Sequence, residues 1–173
     1  MTVLNYLKVC DNPLQDIPMA AVLASPIVGM DDEELAQIRS AFKGVSFAQA
    51  ALSAMAGEDG YEDEKLKAFA LVFERLRGAV ADTPIHELLY RMLDETGFYR
   101  YASAMPAGKR RRQNIDMLIE MAAAYEKTSY KGLFHFVRYI DIQQKYEIDY
   151  GEADTAGEND DVVRIMTIHK SKG

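Results

Sequence analysis

The strongest constraint on this chain is that large apolar side chains recur at three- and four-residue steps in segment after segment. Leu66, Phe69, Phe73, Leu76 and Val80 show it most clearly. Such a row lies on one side of a helix and must be buried against other helices. The pattern returns at Leu35, Ile38 and Phe42, and again at Ile85, Leu88, Leu89 and Met92. Ile115, Leu118, Ile119, Ala122 and Tyr125 form another row. The last is Leu133, Val137, Ile140 and Gln144, with Phe134 and Phe136 widening its face. A shorter stripe, Val3, Leu4 and Leu7, precedes Asn12-Pro13.

The punctuation between these rows agrees. Asp16 is placed to cap a helix running to about Ala24, with Pro18 in its first turn, and Ser25-Pro26 ends it. Asp31-Asp32-Glu33-Glu34 resembles a capping box, with acids where the helix dipole favours them. Gly44 stops that helix, and Ser46 with Gln49 opens the next. Gly57–Tyr61 is a loop, and Thr83-Pro84 reads as an N-cap followed by a first helical residue. Gly97–Met105 is a short helix or a turn. The expected fold is mainly α, a bundle of about eight helices over residues 1–150.

The character of the chain then changes. Gly151–Asp161 holds five acids, no base and no large apolar residue, and reads as an exposed connector over 151–161. Val162, Val163, Ile165, Met166 and Ile168 follow, β-prone and too short for a helix. A lone strand cannot make a sheet. The expectation is a helical insertion cut from a larger α/β protein, with residues 162–173 belonging to that protein's sheet. A first stripe that starts without capping residues carries the same expectation.

Composition narrows the classes. At 49% hydrophobic and 27% charged residues the chain is globular. A net charge of −7 argues against adhesion to nucleic acid by the whole surface, while leaving room for a local basic patch. Cys10 is the single cysteine, which fits a reducing, cytoplasmic setting. His86, His135 and His169 lack ligand spacing, so no metal site is expected. No apolar run is long enough for a membrane span.

The closing stretch "TIHKSKG" pairs a strand with small and basic residues, a composition suited to phosphate contact. The plain alternative is a flexible basic tail. It is not a Walker A loop, which needs glycines ahead of its lysine. "VVRIMTIHKSKG" at Val162–Gly173 resembles the start of motif V in superfamily 1 helicases of the UvrD type. "NPLQDIPMAAVLASPIVGMDDEELAQIR" at Asn12–Arg39 is similar to the segment after motif IV in the same enzymes, above all in their AddAB-type helicase–nuclease branch. The resemblance implies that residues 1–150 are a 2B-type helical insertion and that the final strand belongs to the 2A RecA-like motor domain. It implies Thr167 and His169 as contacts to single-stranded DNA. Lys172 and Gly173 would couple that contact to the nucleotide site. It further implies a parent enzyme that uses ATP and Mg²⁺, acts on DNA ends in recombinational repair and has an AddB-like partner subunit. The piece itself would bind no cofactor and catalyse nothing.

Two further candidates lie in the helical part. Ser25–Leu35 resembles a Gly-Ile-Gly turn that touches duplex phosphates in UvrD-like helicases. Gly29 and Met30 fit that turn, but Asp31 replaces the second glycine, and an acid facing a phosphate weakens binding. "GKRRRQN" sets Lys109, Arg110, Arg111 and Arg112 at a helix start, either as a solvated face or as a duplex-steering patch. The aromatics Tyr99, Tyr101, Phe134, Phe136 and Tyr139 could stack on bases, but their helical spacing favours packing. His86 and His135 read as structural, and the carboxylate groups at Glu62–Glu64 and Asp94-Glu95 have no neighbouring nucleophile. A different class of function, a stand-alone helical adaptor that binds protein and never DNA, also suits the acidic charge.

Overall fold

A computed structural model describes residues 1–128 and 132–145. Among them are nine α-helices and one short 3-10 turn at Glu58–Gly60. The helices are α1 (Thr2–Asp11), α2 (Asp16–Leu23), α3 (Asp32–Ala41), α4 (Phe47–Met55) and α5 (Glu64–Ala79). They continue as α6 (Ile85–Glu95), α7 (Phe98–Ala104), α8 (Gly108–Tyr125) and α9 (Leu133–Lys145). Gly97–Met105, open between helix and turn in the sequence, contains α7. The expected connector at 151–161 and strand at 162–173 lie outside the described residues.

The apolar rows meet in one core. α1 is its centre, packing on α2, α5 and α9. Tyr6, Leu7 and Val9 are fully buried there. The Tyr6 ring meets Phe69 edge-on at 5.8 Å and Phe73 at 6.5 Å, arrangements favoured by ring quadrupoles. Among the described residues its hydroxyl has no hydrogen-bond partner, and burial drives its pKa upward. Burial likewise pushes the neighbouring Cys10 thiol up to about 12, so the sulfur stays protonated and inert. α2 and α3 both pack on α4, while α5 leads to α6, which packs on α7 and α8. α6, α7 and α8 form the corner that carries the basic run.

Capping follows the sequence at two helices and departs from it at two others. Asp31 with Glu34 and Ser46 with Gln49 both close full capping boxes. Asp16, expected to cap its own helix, is instead the first residue of α2, and Gln15 takes the cap position. The Asp16 carboxylate accepts the Ala48 N–H at 2.9 Å, at the start of α4. Thr83 makes no cap for α6, whose cap position is Pro84 at φ −53° and ψ 144°. There the Glu126 carboxylate, from the end of α8, accepts the His86 N–H at 3.1 Å. In both cases a distant carboxylate meets the orphan N–H groups of a helix start, because packing brings it there.

Phe134 also departs from expectation. It is 51% exposed, whereas Phe136 is fully buried against Tyr125 at 5.5 Å between ring centres. The Arg138 guanidinium lies 5.8 Å from the Phe134 ring centre. The α9 stripe is therefore narrower than the sequence suggested.

Candidate nucleic-acid interface

α8 begins with Gly-Lys-Arg-Arg-Arg and has neither an acid in its first turn nor a side-chain cap. Ala107, just before it, adopts φ 57° and ψ 31°, the left-handed region. That conformation turns the chain sharply between α7 and α8. The turn is tight enough that a Cβ on Gly108 would sit 1.9 Å from the Ser103 carbonyl oxygen. Only glycine allows this approach without moving backbone.

The turn places Lys109, Arg110, Arg111 and Arg112 together on the exposed start of α8. The Arg111 Nε–H donates to the Pro106 carbonyl at 3.1 Å, holding that side chain along the turn. Four cations beside the positive end of a helix dipole repel both it and each other. An anion docked here would relieve that repulsion. Behind the cations, the Tyr99 hydroxyl donates to Asp116 of α8 at 2.9 Å. Burial, and then this carboxylate, raise the Tyr99 pKa.

The Gly29 turn has different electrostatics. Gly29 takes φ +76°, and its N–H donates to the Ser25 carbonyl at 2.7 Å. The Val28 N–H also donates to Ser25, the Met30 N–H to Leu23, the Ile27 N–H to the Ser25 hydroxyl and the Asp31 N–H to Glu34. A phosphate at this turn would therefore have to displace an internal bond to find a backbone donor. The Gly29 carbonyl is held by Lys65 at 2.9 Å, and the same ammonium lies 2.7 Å from both Glu34 oxygens. Lys65 pulls the Glu34 pKa down, and Glu34 raises that of Lys65. Carboxylates dominate the surroundings, with Asp32 and Glu33 on α3 and Asp63 and Glu64 at the start of α5.

Thr167, His169, Lys172 and Gly173 lie outside the described residues. Of the aromatic candidates, Phe136 is buried, Tyr99 and Tyr139 are half-buried, and Tyr101 and Phe134 are exposed. The sequence reading missed Tyr90 of α6, which is 58% exposed. Its signal was present: it is the aromatic residue that falls off the stripe of Ile85, Leu88, Leu89 and Met92. Among the described residues, no three His, Cys, Asp or Glu side chains are grouped to hold a metal ion, and no helix is long and apolar enough to cross a membrane.

Among the described residues, fold and surface thus define an all-α domain with a single core and one cationic corner. No protein-family profile matches the chain. It is 46% identical over 172 residues to the AddA subunit of the ATP-dependent helicase/nuclease from Anoxybacillus flavithermus, a match covering 98% of this chain and 14% of that protein. The corresponding subunits from Bacillus cytotoxicus and Bacillus velezensis are 45% and 42% identical over the same shares. The chain belongs to the family of ATP-dependent helicase/nuclease AddA subunits, as a segment spanning about 14% of the length of the relatives it matches.

Proposed function

We propose that this chain is the 2B-type helical insertion, with the start of motif V, of an ATP-dependent helicase/nuclease that unwinds and processes double-strand DNA ends for recombinational repair. Support comes from helicase/nuclease relatives matched over 98% of the chain. In this reading the parent works in the cytoplasm with an AddB-like partner subunit, and ATP and Mg²⁺ act at sites elsewhere in it. Thr167 and His169 touch the tracking strand, and Lys172 and Gly173 link that contact to the nucleotide state. The helical domain contributes DNA contact and no catalysis.

The observation that carries the domain's own role is the cationic start of α8, with four basic side chains among its first five residues and no acid in its first turn. Phosphates meet such a patch with release of counterions, so binding is salt-sensitive and indifferent to sequence. Gly29 remains a candidate duplex contact, though its turn is flanked by acids. The test is fluorescence anisotropy of labelled forked DNA at low salt. The double variant Arg110→Glu/Arg111→Glu should weaken binding by about tenfold or more and flatten the salt dependence by about two phosphate contacts. Binding that ignores both the charges and the salt would rule out this interface.

The adaptor reading draws on the exposed outer face of α9, where Phe134 and Ile142 are 51% and 46% exposed. Such a face suits protein docking, and the adaptor reading gains if the chain binds no DNA at low salt.

A further inference from the structure

Charge alone makes the α8 start a phosphate patch. The three-helix corner adds something that a row of cations lacks. His86 and Tyr90 are four residues apart on α6 and share one face. That face is turned toward α8, because the His86 Nδ1 lies 2.6 Å from a Glu126 oxygen at the far end of α8. α6 and α8 pack together, and α7 links them. The Tyr99 hydroxyl, bonded to Asp116, marks where α7 meets α8, and Arg112 lies one turn before Asp116. α6 packs on both α7 and α8, so Tyr90, exposed on α6, belongs to the surface of the same three-helix corner.

The corner therefore combines an exposed ring with the basic run. Tyr90 is 58% exposed although it lies within a helix whose stripe is buried. Two acids of α6 have cationic neighbours of their own. Asp94 lies 3.7 Å from Arg100, and Glu87 lies 3.9 Å from Arg91. Duplex DNA hides its base faces in the stack and offers phosphates and groove edges. Unpaired DNA offers phosphates and base faces together, and aromatic rings take up those faces with little regard to sequence.

We propose that the corner of α6, α7 and α8 is a contact for unpaired DNA, in which Tyr90 stacks on a base while Arg110 and Arg112 hold the flanking phosphates. The proposal rests on the DNA-binding reading above and sharpens it, making the substrate of this corner the opened strand at a fork rather than intact duplex. The acids around the Gly29 turn make that end of the domain the poorer of the two for either form of DNA.

The test uses the whole 173-residue chain with two probes, a labelled oligothymidylate and a blunt duplex of similar length. Tyr90→Ala should lower affinity for the single strand by about tenfold, the scale of one lost base stack, and leave duplex affinity unchanged. Tyr90→Phe keeps the ring and should restore single-strand binding. An oligothymidylate with one 2-aminopurine should lose fluorescence on binding wild-type protein and less on binding Tyr90→Ala. Tyr90 is exposed, so the variants should fold, as circular dichroism can verify. Equal loss on both probes, or no loss while Arg110→Glu/Arg111→Glu still weakens binding, would overturn the stacking role and leave the DNA reading standing. If the wild-type chain binds neither probe at low salt, the DNA reading itself fails and takes this proposal with it.

Discussion

At the scale of single residues, the turn into α8 decides where the cations go. Ala107 sits at φ 57°, a conformation in which an L side chain crowds its own carbonyl. Glycine adopts it freely, so Ala107→Gly should stabilise the fold by roughly 1 kcal/mol, less the entropy glycine gains when unfolded. Urea denaturation should show the midpoint rising with an unchanged slope. A fall instead would mean that the methyl group of Ala107 contributes packing that outweighs the strain. Gly108 is the converse case. A methyl there would meet the Ser103 backbone, so the turn that gathers the basic run depends on its absence.

At the scale of elements, carboxylates from elsewhere in the chain meet the first N–H groups of two helices, beside the Ser46 cap of α4 and in place of a side-chain cap at α6. Asp16 reaches α4 across 32 residues of sequence, and Glu126 reaches α6 across 40. The Ala48 N–H bond is the main reason why the Asp16 pKa lies below its ordinary value of 3.8. A carboxylate with a depressed folded-state pKa adds stability that is present above the unfolded value and is lost as pH falls through the folded value. Asp16→Asn keeps an acceptor but removes the charge. The variant should therefore unfold at lower urea near neutral pH, and the gap should close as pH drops through and below 3.8. Urea midpoints across pH check this, and a gap that persists in acid would assign the loss to geometry instead of charge.

At the scale of the whole molecule, all nine described helices contribute to one apolar cluster. A single core implies a single cooperative unit. Far-ultraviolet circular dichroism and tyrosine fluorescence should report the same urea midpoint, although the tyrosines are spread along the sequence from Tyr6 to Tyr150. Separated midpoints would show that the α6–α8 corner unfolds independently of the helices around α1. The charge is divided as the core is not. Acids gather where α3 and α5 begin, tied through Lys65 to Glu34, and cations gather where α8 begins. A net charge of −7 conceals this polarity, which would orient the domain on DNA by the α8 corner.

What the sequence determined by itself was local. The stripe of Leu66, Phe69, Phe73 and Leu76 made α5 legible, and the pairs Asp31–Glu34 and Ser46–Gln49 marked two helix starts. These signals span three or four residues, so one turn of helix carries both the cause and its effect. The terminal motif pointed to the helicase family for a similar reason, since its residues are contiguous. Tertiary packing decided the rest. It gave Asp16 to α4 and Glu126 to α6, turned Phe134 outward, closed the Gly29 turn upon itself and left Tyr90 exposed on α6. Each of these depends on where separate helices cross, and crossing is set by the summed fit of many side chains in the core, which no short stretch of sequence contains.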